Sequence, residues 1–298
     1  MSDTIQRFTF ANLPIRGEVI SLEQSFQTII EKHAEQHHYN SAQRQLLGQA
    51  LAATALMAEI IKIEGKVALQ LQSSSAVKLL LTECTHQGYI RGLTHLDQEQ
   101  STDSLDFAQW TQGGQMAITI EPTQGKRYQG VVPLENSELS HCLEEYFVRS
   151  EQLPTYIQLF ASDDKVFGLF LQAMPGNSQD STSAEDKAAA FEHVKALAET
   201  LTAEEALDIS HQELLYRLFN QDEVTLYPEK QIQFQCGCSR ERNEKALATI
   251  QPAELIEMVQ ESGGQIELVC DFCSHKEIFT EQDVMTFLSN TALSDSVN

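Results

Sequence analysis

The chain has 298 residues and a formal net charge of -23, with 42% hydrophobic and 21% charged residues. That composition is ordinary for a globular protein with a substantial core, and the length suffices for two units or more. The charge is not ordinary: it repels nucleic-acid phosphate and anionic lipid, which excludes nucleic acid and membrane surfaces as partners on a first reading.

The opening segment 1–7 lacks the charged-then-apolar pattern of a secretory signal. The most apolar helical stretch, Ala50–Ile61, contains Glu59 and falls well short of the roughly 20 residues that span a bilayer. A cytoplasmic location is expected, where thiols stay reduced. Strands are predicted over Ile5–Phe10 and Ile15–Leu22, with Arg16–Gly17 allowing a bend between them. Phe26, Ile29 and Ile30 give helical spacing to Leu22–His37. Ser41 is placed to cap the next segment, whose Leu46, Leu47, Ala50, Leu51, Met57, Ile60 and Ile61 cover most of a helix surface. A helix apolar on most sides is buried, so this one is expected at the centre of the domain.

Strand signals follow over Val67–Gln72, Val77–Thr85, Tyr89–Leu96, Gln115–Glu121 and Tyr128–Val132, with Gly88 and Gly125 in hairpin turns. A helix over Glu138–Ser150 precedes strands over Thr155–Phe160 and Phe167–Ala173. Strands in series, with helices between blocks, predict an α+β fold and not a βαβ repeat.

Composition shifts after Met174, where Pro175–Ser183 is rich in turn residues. Between Asp180 and Lys230, twelve acidic side chains stand against four basic ones. Phe191, Val194, Leu197 and Leu201 share a helical face, as do Leu214, Leu215 and Leu218. Thr202 with Glu205, and Ser210 with Glu213, have capping-box spacing. Such short helices are marginal unless packed on a neighbour. The expected layout is an N-terminal core domain over 1–178, an acidic helical linker of limited stability over 179–231, and a small C-terminal unit over 232–298.

Four of the six cysteines fall in that last unit, as Cys236-Gly-Cys238 and Cys270-Asp-Phe-Cys273, with 31 residues between the pairs. Two close pairs of soft ligands in a reducing compartment predict one zinc ion held by four thiolates. Each pair is also close enough in sequence to close its own disulfide. In that event no crosslink would span the intervening residues, a constraint worth roughly 3–4 kcal/mol by loop-closure arithmetic. The small unit would then unfold, and the linker could follow. A zinc that only holds the fold together is the competing reading: a structural zinc-ribbon adaptor with a constitutive protein partner. No constellation of acid, base and nucleophile marks an enzyme.

Phe234-Gln-Cys-Gly-Cys-Ser-Arg-Glu-Arg242 and Ile266-Glu-Leu-Val-Cys-Asp-Phe-Cys273 resemble the zinc motif of the 33 kDa redox-regulated heat-shock chaperones. Arg16-Gly-Glu-Val-Ile, Thr82-Glu-Cys-Thr85, Ser150-Glu-Gln-Leu-Pro-Thr155 and the leucine-rich helix around Leu46 extend the resemblance over nearly the whole chain. It implies an ATP-independent holdase of the bacterial cytoplasm, inactive and monomeric while reduced and zinc-bound. It further implies that Cys236, Cys238, Cys270 and Cys273 are zinc ligands. On oxidation they pair as Cys236–Cys238 and Cys270–Cys273, release zinc, unfold the linker and admit unfolding client proteins, often in a dimer. The client surface stays open between the apolar faces of the linker helices and the N-terminal sheet.

The remaining candidates are read as structural. His33 and His37 lie one helical turn apart, but are expected at an exposed helix end. Cys84 and Cys142 are expected in packing, and His141 beside Cys142 points away from it. Gly113–Gly114 and Ser262–Gly263–Gly264 are turns without a phosphate-binding sequence. His275 is expected to be exposed or to stand behind the ligands, and Arg240, Arg242 and Lys245 to form a solvated face.

Overall fold

The structure, a computed structural model, describes residues 3–34, 38–97, 106–175 and 183–295. The break expected over Pro175–Ser183 falls largely, and His37, expected at an exposed helix end, wholly, outside the described residues. The chain divides into two compact units, 1–235 and 236–298.

In the first unit, β1 (Thr4–Phe10) and β2 (Ile15–Leu22) form an antiparallel hairpin from Thr4 opposite Ser21 to Thr9 opposite Arg16. The chain bends between these strands and not at Gly17, which lies inside β2. Gly17 is required because the Phe8 ring crosses its Cα, and a Cβ there would lie 2.1 Å from Phe8 Cζ. Next comes α1 (Gln24–Ala34), which starts two residues later than expected. The Asp3 carboxylate accepts the backbone N–H groups of Glu23, Gln24 and Ser25 and so satisfies its first amides. The cap of α2 (Ser41–Ile61) is Asn40 and not Ser41. Asn40 accepts from Gln43 N–H at 2.9 Å while Gln43 accepts from Asn40 N–H at 2.9 Å, a reciprocal box that Ser41, one residue inside the helix, cannot form.

The strands β3 (Gly65–Gln72), β4 (Val77–Thr85) and β5 (Tyr89–Leu96) lead to α3 (Phe107–Trp110), then β6 (Gln115–Pro122) and β7 (Tyr128–Pro133). Gly88 and Gly125 adopt φ of 90° and 112° at the β4–β5 and β6–β7 turns, the left-handed side that glycine tolerates. After α4 (Leu139–Ser150), β8 (Thr155–Ala161) and β9 (Val166–Ala173) complete the long strands. Three helices follow: α5 (Ala184–Ala198), α6 (Ala203–Asp208) and α7 (His211–Phe219). Thr202 and Ser210 cap α6 and α7 as their spacing predicted, accepting from Glu205 N–H and Glu213 N–H. The unit ends with β10 (Val224–Leu226), β11 (Lys230–Gln231) and β12 (Gln233–Phe234).

These strands make two sheets, one in the order β10-β1-β2-β9-β8 with β11 also on β1, the other β12-β5-β4-β3-β6-β7. The fold is α+β. The central helix α2 packs against both sheets and is buried along most of its length, because its apolar residues surround it. The first sheet is buried on both faces. Ile5, Ile20, Leu22, Val166 and Phe170 face the α2 core. Phe8, Phe10, Ile15, Val19, Phe167, Leu169 and Leu171 face a second core completed by Phe191, Val194, Leu214, Leu215 and Phe219 of α5 and α7. Two-sided burial is why β9 reads Val-Phe-Gly-Leu-Phe-Leu without alternation.

The second unit holds α8 (Arg240–Leu247), α9 (Pro252–Glu261), the hairpin β13 (Gln265–Val269) and β14 (Lys276–Thr280), and α10 (Glu281–Asp295). Its core is small: Leu247, Leu255, Val259, Ile266, Phe279, Val284 and Phe287.

Candidate metal centre

Cys270 and Cys273 occupy the turn joining β13 to β14. Cys270 N–H donates to His275 O at 2.9 Å, Ser274 N–H donates back to Cys270 O at 2.8 Å, and Ser274 takes a left-handed φ of 56°. This knuckle turns both sulfurs to one side. Cys236 and Cys238 precede α8, whose N-cap Ser239 accepts Arg242 N–H at 3.3 Å. Arg242 also donates from Nη1 to Gly237 O at 2.9 Å, holding the loop between the two cysteines. Gly237 is not among the glycines of left-handed φ. A Cβ there would meet only Arg242 Nη1 at 3.3 Å, so glycine makes room for the guanidinium and does not relieve a strained backbone.

The four ligand atoms all lie within 4.8 Å of one another, with Cys236 Sγ 3.6 Å from Cys270 Sγ and Cys238 Sγ 3.5 Å from Cys273 Sγ. A regular tetrahedron of about 2.3 Å metal–sulfur bonds has edges of about 3.8 Å, so the cluster fits a four-thiolate site closely. These four cysteines can hold a metal ion, and among the described residues no other group of His, Cys, Asp and Glu converges in this way. All four are free thiols, and all are half-buried. Burial pushes the Cys236 thiol up. The Cys238 amide and the thiols of Cys273, Cys238 and Cys270 outweigh that effect and bring it below its ordinary value. Burial carries Cys238 up to about 11 and raises Cys273 as well.

Arg240, read from sequence as part of a solvated face, is instead the hub of an ion-pair network within this unit. Its Nη1 lies 2.8 Å from Glu277 Oε1, its Nη2 3.0 Å from Asp283 Oδ1, and its Cζ 4.4 Å from the Phe279 ring centre. It thus ties the start of α8 to β14 and the first turn of α10 by a link that is independent of sulfur. His275 is exposed and pairs with Glu277 at 3.4 Å, outside the sulfur cluster.

The other sequence candidates lie in the first unit. Cys84 and Cys142 are buried in the α2 core, and burial pushes the Cys84 thiol up to about 12. His33 is not at an exposed helix end: it is 1% exposed, and its Nε2–H donates to Gly92 O at 3.0 Å. Nearby, Tyr39 Oη accepts Thr94 N–H at 3.1 Å. Both side chains seal the free edge of β5, a role set by tertiary position that helical spacing could not reveal. Two buried ionisable groups also escaped the sequence reading, Glu18 on β2 and His211 on α7. Among the described residues no helix is long and apolar enough to cross a membrane.

Residues 3–280 match the Hsp33 protein family. A 33 kDa chaperonin of Ectopseudomonas mendocina is 38% identical over 95% of this chain and 94% of its own length. Its counterpart in Pseudomonas syringae pv. tomato is 40% identical over 95% and 92%, and that of Shewanella woodyi 39% over 97% and 96%. The crystal structure of the 33 kDa chaperonin (heat shock protein 33 homolog) of Thermotoga maritima aligns with a TM-score of 0.77, covering 97% of this chain and 99% of that one. At 19% identity, that likeness is one of fold.

Proposed function

The chain belongs to the Hsp33 protein family, and from that premise we propose a redox-regulated, ATP-independent holdase of the bacterial cytoplasm. In the reduced state it is an inactive monomer whose Cys236, Cys238, Cys270 and Cys273 hold one zinc ion. In the oxidised state it binds unfolding or oxidatively damaged proteins and assembles as a homodimer. Functionally it has a core over 1–178, a metastable acidic linker over 179–231 and a cysteine switch beyond.

The observation that carries this reading is the convergence of four sulfurs within 4.8 Å in a unit with so small a core of its own. Zinc held there would keep the sulfurs as thiolates and join the two cysteine pairs across the residues between them. In each pair, two thiolates give two electrons to one peroxide molecule. The sulfurs join as a disulfide, and the peroxide, taking up two protons, leaves as two waters. We assign the pairs as Cys236–Cys238 and Cys270–Cys273. The sulfur contacts at 3.6 and 3.5 Å run between the pairs, so crossed pairing is also within reach. Only local pairing removes the long crosslink, whose loss costs the unit about 4 kcal/mol.

Client binding needs apolar surface, and the structure holds a reserve of it. The helices α5, α6 and α7 cover the second face of the first sheet, where Phe8, Phe10, Ile15, Val19, Phe167, Leu169 and Leu171 lie. Uncovered together, these side chains would form a patch larger than a soluble monomer ordinarily exposes.

The test follows zinc release with a chromogenic chelator alongside light scattering from a thermally unfolding client. Reduced, zinc-loaded protein is expected to leave aggregation unchanged. Protein treated with peroxide at elevated temperature is expected to release one zinc and suppress it, with tryptic peptides mapping to the two local disulfides. Equal protection from both forms would refute the switch, and retained zinc with unchanged binding would favour the structural adaptor.

A further inference from the structure

Among the described residues, the outer edge of β1 is covered by 223–232 alone. Ala11 N–H donates to Glu223 O at 2.9 Å, Tyr227 N–H to Arg7 O at 3.0 Å, and Ile232 N–H to Asp3 O at 2.9 Å. Between these bonds, Phe8 to Phe10 face Leu226 to Val224, and Thr4 and Ile5 face Gln231 and Lys230. The covering strands are only three and two residues long, none of their side chains is fully buried, and Pro228 interrupts them. β1 itself is paired along its other edge to β2 over six residue pairs and is largely buried. The two layers therefore differ sharply in how firmly they are held. Val224 and Leu226 point at alternate positions into the core under α5–α7, so their anchorage disappears if those helices leave.

We propose that the outer edge of β1 is the strand to which an extended segment of an unfolded client adds, in the place that β10 and β11 occupy in the structure. This rests on the reading given above, in which oxidation frees the linker. The partner is fitted by its chemistry: unpaired backbone amides, plus apolar side chains at alternate positions to replace Val224 and Leu226. Any unfolded chain supplies the amides, which matches capture without sequence specificity, while the alternating side chains add affinity. β10 and β11 then act as a built-in stand-in for the client, keeping the edge closed in the reduced protein.

The test is residue-resolved hydrogen exchange on the full-length protein with reduced, carboxymethylated α-lactalbumin as a permanently unfolded client. The hydrogen bonds of Ala11 and Tyr227 place the amides of Thr9 and Ala11 on the outer edge and those of Phe8 and Phe10 on β2. On oxidation, Thr9 and Ala11 are expected to exchange more than about tenfold faster while Phe8 and Phe10 stay protected. Added client is expected to restore the protection of Thr9 and Ala11.

A second arm uses a labelled peptide of the sequence 222–232. Its N-methylation at Thr225 and Tyr227, whose amides face β1, is expected to weaken binding to the oxidised protein more than about tenfold, against less than about twofold for N-methylation at Val224 and Leu226. Aggregation suppressed while Thr9 and Ala11 stay unprotected, or equal loss from both methylation patterns, would overturn the β1 site and leave the chaperone reading standing. Failure of oxidised protein to suppress aggregation at all would remove that reading and this site with it.

Discussion

At the first position of α7, His211 lies against the first sheet with its Nε2 2.8 Å from Ser21 Oγ and its ring edge-on to Phe167. Its Nδ1 is buried without a hydrogen-bond partner among the described residues. Burial lowers its pKa to about 4, so the folded state binds fewer protons than the unfolded chain between that value and 6.5. The sign follows: docking of α7 is complete above pH 6.5 and loses up to about 3 kcal/mol as pH falls through 4. Glu18 acts in the opposite sense. Neither of its oxygens has a partner among the described residues, and burial raises it to about 7 against the charges of Arg16 and Arg7. Its contribution is present at acid pH and is lost as pH rises from 4.5 through 7. The two groups can be separated with His211→Gln, which keeps a donor for Ser21 and does not titrate. Its melting temperature is expected to fall less than that of the wild type between pH 7 and 4.5, and parallel curves would contradict the assignment.

Among the elements, α7 is nine residues long, too short to persist without its apolar contacts. Phe219 anchors it: its ring centre lies 5.1 Å from that of Phe10 and 6.1 Å from that of Phe8, and it is fully buried. Phe219→Ala removes about 3–5 kcal/mol of packing, on the order of what such a helix has to lose. The reduced, zinc-loaded variant is therefore expected to suppress client aggregation without peroxide, whereas Phe219→Leu stays dependent on oxidation. Light scattering with and without peroxide decides it, and a silent reduced Phe219→Ala would show that α7 does not guard the client surface. The elements legible in the sequence are those whose residues set a period or a cap: the nine long strands and helices α1, α2, α4, α5, α6 and α7. The strands β10, β11 and β12 are two or three residues long and carry no period at all. They exist because β1 and β5 offer them hydrogen-bonding edges.

Across the whole molecule, the charge of -23 bears on how fast different clients are met. An acidic surface accelerates encounter with basic chains and slows it with acidic ones, and salt screens both effects. At low ionic strength, oxidised protein is expected to associate faster with a basic unfolded client than with an acidic one of equal length. Stopped-flow rates should converge at about 0.5 M salt, where the screening length is only a few ångströms. A difference that survives such salt would point to side-chain chemistry in place of the overall field.

Residue order alone determined the α+β class, the run of long elements, the acidic segment after Met174 and the four-cysteine motif. Each is written in neighbours or in spacing along a strand or helix, the range over which backbone geometry imposes a period. It could place Cys236 near Cys238 and Cys270 near Cys273, but only the folded unit brings all four sulfurs within 4.8 Å. The same limit explains the misreadings. His33 is buried because Gly92, 59 residues later, presents a carbonyl to it, and Gly17 answers to a ring across the hairpin. The covering of β1 by 223–232 joins residues more than 200 positions apart, as Gln6 Nε2 to Tyr227 O does over 221. Which edge such a short segment closes depends on the register and exposed edges of sheets already formed, and no local pattern encodes that.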